Sequence, residues 1–212
     1  MEDAMHLYAS PMACSLASHI TILEAGLPVT VHYIDNRTKV TDEGEDYWSI
    51  SPNGYVPALR LASGEVLNEG PSVLQFLADQ KPEAKLAPAW GTTERYQLID
   101  ALNYLSTEVH KRIFSTLLTA KAPEDAKARA KSLLAPTLDA IARRLGDRDH
   151  LVGDHFSVAD AYLVVLLNWC RHVGTDLRQW PTIAAYHKRQ LARPAVAAAV
   201  AQETAEYQRR AA

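Results

Sequence analysis

Hydrophobic periodicity changes once along this 212-residue chain, near residue 82, and that change limits the folds open to it. Before it, strand-like and helix-like runs alternate. "MHLYA" and "VTVHYID" read as strands, the second through alternation of Val29, Val31 and Tyr33. Between them, residues 15–26 carry Leu16, Ile20 and Leu23 at helical spacing and end on Gly26, a natural helix stop. "EDYWSI" reads as a short helical turn. "PALRLA" and "EVLNE" flank Ser63-Gly64, a hairpin signal. "GPSVLQFLADQ" then places Val73, Leu74 and Leu77 on one helical face, with Pro71 in its first turn. The order is βαβ followed by ββα. The first unit requires a right-handed crossover between parallel strands; the second adds an antiparallel hairpin and a closing helix.

That order predicts an α/β thioredoxin-like domain over residues 1–82. Residues 83–92 read as a linker, and residues 93–212 as an all-α domain, because only helical spacing recurs there. Ile99, Leu102, Leu105, Val109 and Ile113 form one stripe. "FSVADAYLVVLLNWC" is almost wholly apolar and predicts a buried central helix. Ser157 and Asp160 have the spacing of a capping box at its start, with Asp in place of the usual Glu or Gln. Further helices are expected over 124–146, 182–192 and 194–207.

Charge is divided along the same line. Residues 1–82 hold 4 Lys/Arg against 11 Asp/Glu, and residues 83–212 hold 18 against 14. The overall net charge of −3 argues against nucleic acid as the main partner. No apolar run reaches the ~18 residues of a membrane span. The acidic start "MEDAMHLYAS" is not a secretory pattern, and two distant cysteines, Cys14 and Cys170, make no disulfide framework. A reducing cytoplasm is the expected setting.

Four places carry chemistry. Cys14 lies at the start of the first predicted helix, where partial positive charge and unpaired N–H groups stabilise a thiolate. In a redox C-x-x-C pair the second cysteine would stand at Ala17, so an internal disulfide cannot form and any second thiol comes from outside. A buried inert thiol is the alternative. Val56-Pro57 precedes a strand; a cis bond there would leave the backbone of Val56 available to an extended peptide, whereas a trans loop proline is the commoner arrangement. Glu69 and Gly70 open a helix whose N-terminus suits a carboxylate ligand, although Glu69 is also an ordinary helix-start acid. Asn103 and His110, seven residues apart, fall on one face of an α-helix. A lone helix histidine is otherwise commonly filler. Cys170 reads as core, and Trp169 and His172 as the border of an apolar pocket. No metal-binding or nucleotide-binding motif is present.

Taken together these residues resemble the bacterial beta class of cytosolic glutathione S-transferases. The resemblance runs through "MHLYASPMACSLASHI", "SPNGYVPALRL", "LNEGPSVLQFLADQ", "ERYQLIDALNYLSTEVHK" and "LVGDHFSVADAYL". It implies the glutathione transferase fold, a cytoplasmic homodimer, and conjugation of glutathione, as co-substrate, to small apolar electrophiles in detoxification. It implies no metal. Cys14 then lies beside the glutathione sulfur and His110 close to the cysteine. Val56 binds the cysteinyl backbone next to a cis Pro57, Glu69 and Gly70 hold the γ-glutamyl end, and Lys39 lies near the glycyl carboxylate. Asn103 reaches glutathione from the partner subunit, and Tyr8, Ser15 and Tyr55 complete the candidate binding residues. The electrophile site is placed in the helical domain. Where the family reads "PGxCSLxPHI" this chain reads "PMACSLASHI", with Met12 for glycine and Ser18 for proline.

Other outcomes stay open from sequence. One is thiol–disulfide exchange or reductive dehalogenation through a Cys14–glutathione disulfide. Another is a non-catalytic relative with the same fold. Isomerisation of a maleylacetoacetate-type substrate would call for a serine- and cysteine-rich signature that "SPMACSLA" lacks.

Overall fold

In the first strand, β1 (Met5–Ala9), alternate side chains enter two different cores: Leu7 and Ala9 face one, Tyr8 the other. The computed structural model describes residues 4–211. β1 is central in a five-stranded sheet of order β3-β2-β1-β4-β5. It pairs parallel with β2 (Val29–Asp35), setting Leu7 opposite Val31, and α1 (Leu16–Ala25) makes the crossover. It pairs antiparallel with β4 (Ala58–Arg60), and β4 turns back into β5 (Val66–Leu67) as the hairpin signal predicted. β3 (Val40–Thr41), antiparallel to β2, is not foreseen from sequence, since two residues carry no periodicity.

Leu7, Ala9, Ile22, Leu59, Val73 and Leu77 form the core beneath α1 and α3 (Gly70–Asp79), with Val29, Val31 and Tyr33 packed against it. Leu7, Leu59 and Leu77 are fully buried, and each such side chain contributes about 1.5–3 kcal/mol. On the other face, Tyr8, Ile34, Ala58 and the short helix α2 (Tyr47–Ile50) form a second core.

The remaining elements are helical. α4 (Thr93–Tyr104) is capped by Thr92, which accepts from Arg95 N–H. It runs into a π-helical stretch, Leu105–Phe114, and then α5 (Ser115–Leu118). α6 (Glu124–Leu145), α7 (Val158–Cys170), α8 (Pro181–Leu191) and α9 (Pro194–Ala211) follow. α7 is buried almost throughout, and both halves of the Ser157/Asp160 capping box are made. Among the described residues no helix is long and apolar enough to cross a membrane.

The chain forms two compact units. One is Pro88–Ala192; the other runs up to Ala87 and resumes at Arg193. From sequence, residues 93–212 form a single helical domain; in the structure α9 packs instead on α1 of the first unit. Small or short side chains, Val196 and Ala199, are buried along α9, and Arg193 makes a paired contact with Glu24 at 2.8 and 3.0 Å. The fully buried Glu203 meets His19 of α1.

Candidate functional site

The path from β1 into α1 is a tight turn. Ala13 N–H donates to Ser10 C=O at 3.0 Å, with Pro11 and Met12 between them. Met12 takes φ 61°. A turn with proline second and a positive φ third calls for glycine at the third place. For an L-residue the left-handed region costs about 1–2 kcal/mol. Two contacts offset this cost: Met12 N–H donates to Glu203 Oε2 at 2.7 Å, and Thr204 Oγ1 reaches Met12 Sδ at 3.7 Å. A hydrogen bond to a charged acceptor is worth about 1.5–3 kcal/mol, enough to balance the strain. His19 Nδ1 lies 3.0 Å from the other carboxylate oxygen. Burial pushes the Glu203 carboxyl up, while its bonds to His19 and Met12 pull the other way. Sequence reasoning missed both His19 and Glu203.

Cys14 follows this turn and is half-buried. Its carbonyl accepts from Ala17 N–H, so it stands at the entrance of α1, as expected from sequence. Its thiol donates to Val56 C=O at 3.1 Å. The Val56-Pro57 bond is cis. The carbonyl of Val56 is therefore engaged by Cys14, whereas sequence reasoning left it free. A Cβ placed on Gly70 would lie 3.9 Å from Pro57 Cδ, which sets the start of α3 beside the cis proline. Glu69 is the exposed N-cap of α3 and makes no side-chain capping bond.

Lys39, itself at φ 57°, donates to Gly54 C=O at 2.7 Å and stands over the Trp48 ring at 5.9 Å. Tyr55 is exposed, and its carbonyl accepts from Tyr47 OH at 2.7 Å. Burial pushes the Tyr47 phenol up to about 12, so it remains a donor that fixes this loop. Cys14 thus touches Val56, the Glu69-Gly70 start of α3 lies beside Pro57, and Lys39 is tied to Gly54, next to Tyr55, all within the first unit.

Tyr8 and Ser15 are different from their sequence assignment. Tyr8 is 1% exposed, stacked on His32 and covered by Arg60, so it is a core residue. Ser15 is fully buried; its hydroxyl donates to Ser10 C=O and accepts from Ser10 N–H, which ties down the turn. Neither hydroxyl faces solvent.

In the second unit His110 is buried against Trp169, with ring centres 5.0 Å apart, and its Nδ1 lies 2.7 Å from Tyr162 OH. Burial, with a smaller contribution from Lys111, lowers its pKa to about 4. It is therefore a neutral imidazole near pH 7, not a cation that would draw a thiolate. Asn103 is exposed while His110 is buried, so the two do not share a face. The cause is the winding: a π-helical stretch turns less per residue than an α-helix, and the seven-residue repeat fails across it. His172 is exposed on the turn after α7, apart in burial from Trp169. Cys170 is buried, and its thiol is pushed up to about 12.

Residues 11–80 match the profile of the glutathione S-transferase N-terminal domain, and residues 124–189 that of the C-terminal domain. The chain is 38% identical to glutathione S-transferase GstA of Escherichia coli O157:H7, across 94% of this chain and 98% of that protein. A bacterial beta class glutathione S-transferase of Sphingomonas chungbukensis superposes with a TM-score of 0.90 at 44% identity, covering 93% of this chain and 98% of the other. A sphingomonad glutathione S-transferase, solved in complex with glutathione, gives 0.91 at 42% identity, covering 94% and 98%.

Proposed function

Because this chain belongs to the glutathione S-transferase family, we propose that it conjugates glutathione to small, mostly apolar electrophiles. The observation that carries this reading is the linkage of Cys14, Val56, cis Pro57 and Gly70 at one edge of the first unit. Glutathione lies extended there as co-substrate. Its γ-glutamyl carboxylate meets Gly70 N–H at the start of α3, where the helix end favours negative charge; Pro71 has no N–H, and Ser72 N–H already donates to Glu69 C=O. Its cysteinyl backbone runs along Val56, and its glycyl end lies towards Lys39 and Tyr55.

The glutathione sulfur is seated beside Cys14 at the start of α1. Partial positive charge at that helix end favours the thiolate, which attacks the electrophilic carbon; the new C–S bond forms and the carbon's leaving group, chloride in an aryl chloride, departs with its bonding electron pair. Within the second unit, His110 stays a neutral hydrogen-bonding group held by Tyr162, in keeping with its low pKa. The active form is a homodimer in the cytoplasm, with exposed Asn103 directed to the partner's glutathione, and the reaction serves detoxification.

The test is a spectrophotometric assay with glutathione and a nitro-activated aryl chloride. Lys39→Ala and Glu69→Ala should each raise KM for glutathione by about tenfold, with KM for the aryl chloride little changed. Cys14→Ala should lower conjugation by less than about tenfold and abolish glutathione-dependent disulfide reduction. Absence of both conjugation and calorimetric binding of glutathione would refute the reading.

A further inference from the structure

We propose that Glu203, on the last helix, is a positioning residue that clamps the Met12 turn and thereby sets the place of Cys14. The proposal rests on reading Cys14 as part of the glutathione site. Glu203 is fully buried and uses both oxygens: Oε2 on Met12 N–H at 2.7 Å and Oε1 on His19 Nδ1 at 3.0 Å. These partners lie on either side of Cys14, one in the turn before it and one in α1 after it. A single carboxylate thus fixes the backbone on both flanks of the thiol.

The clamp has a reason to exist in this chain. Met12 occupies a left-handed position that glycine would take without steric cost; Ala13 N–H on Ser10 C=O closes the turn and the Ser15 hydroxyl anchors Ser10, while Glu203 bonds the Met12 amide itself. Without Glu203 the strained residue can relax, and Cys14 shifts with it. With glycine at position 12 the turn needs no such restraint. Glu203 and Met12 should therefore be energetically coupled, in a way that a carboxylate serving only to dock α9 would not be.

Four variants and three readouts test this. The readouts are hydrogen exchange at the Met12 amide, the alkylation rate of Cys14 by iodoacetamide, and KM for glutathione. Cys170 is silent to the reagent because it is buried. Glu203→Ala should speed Met12 exchange by about tenfold, change the alkylation rate by about threefold or more, and raise KM for glutathione by about fivefold. Glu203→Asp, which keeps charge but shortens reach, gives the same pattern at smaller size and decides the matter if the alanine variant does not fold. Glu203→Gln should stay within about twofold of wild type: its Oε1 still accepts from Met12, and its amide can donate to His19 in the other tautomer. Met12→Gly added to Glu203→Ala should return the alkylation rate and KM to within about twofold of wild type.

The proposal is overturned if Glu203→Ala lowers thermal stability while amide exchange and alkylation stay within about twofold, or if Met12→Gly gives no rescue. A wild-type protein without transferase activity would refute the functional reading alone, since amide exchange and alkylation still report on the clamp.

Discussion

Replacing Asp160 by alanine should be among the most damaging single changes in the second unit. Its Oδ1 accepts from Leu151 N–H and Tyr186 OH, both at 2.7 Å, and its Oδ2 from Ser157 N–H at 2.9 Å and Ser157 Oγ at 3.1 Å. Asp160 is fully buried, and Leu151, Ser157 and Tyr186 are at most 5% exposed. Asp160→Ala therefore strands the Leu151, Ser157 and Tyr186 donors away from water. Each stranded donor costs about 1–3 kcal/mol, and partial relaxation brings the sum to about 3–5 kcal/mol. Against a total stability of about 5–15 kcal/mol this is a large fraction. At about 2–4 °C per kcal/mol for a chain of this size, calorimetry should record a fall in Tm of about 6–20 °C. Tyr186→Phe gives a sharper check. Alone it removes one donor and should cost about 1 kcal/mol, but in the Asp160→Ala background it removes an orphaned hydroxyl and should recover a similar amount. A Tm fall below about 3 °C, or additive losses in the double variant, would refute the reasoning.

Two more outcomes are expected. His110 and His187 are held near pKa 4, in each case chiefly by burial, below the ordinary value of 6.5. Between about pH 6.5 and 4 the unfolded chain takes up protons that these folded imidazoles refuse, so stability falls with pH by up to about 3 kcal/mol per group. His187→Gln lowers stability at pH 7.5, through loss of its 2.8 Å contact with Asn168, yet the gap to wild type should narrow by pH 4.5 in urea titrations; a constant gap sinks the assignment. Gly54→Ala should displace Trp48, because a Cβ there would lie 2.5 Å from the indole and φ is 63°. Trp48 emission should shift and KM for glutathione rise severalfold, and an unchanged spectrum counts against the contact.

Where the pattern is local, the sequence was readable. β1 and β2 coincide with "MHLYA" and "VTVHYID", because a period of two is visible within five to seven residues. Ser157 and Asp160 announced their capping box for the same reason: both halves lie within four residues. Helix ends leave local signals, so the placement of Cys14 at the entrance of α1 and of Glu69 and Gly70 at the start of α3 was legible, whereas the isomer of Val56-Pro57 was left open. Three things were not legible. The relation of Asn103 to His110 depended on helix winding, which the apolar stripe does not report. The burial of Tyr8 and Ser15 depended on which sheet face and which turn received them. The clamp on Met12 joins positions 191 residues apart, and no local pattern encodes the pairing.

The docking of α9 on α1 also orders events in time. The residues that complete the first unit are synthesised after the whole of the second, so on the ribosome the strands and α1 emerge long before Glu203 can reach them. Contacts of such sequence separation form slowly, because a long loop must close before they reward the chain. The second unit, contiguous over Pro88–Ala192, is complete in the chain before the first. Cys14 thus acquires its final setting only once α9 has been made, and a chain cut short before Pro194 would carry the thiol without the helix that seats it.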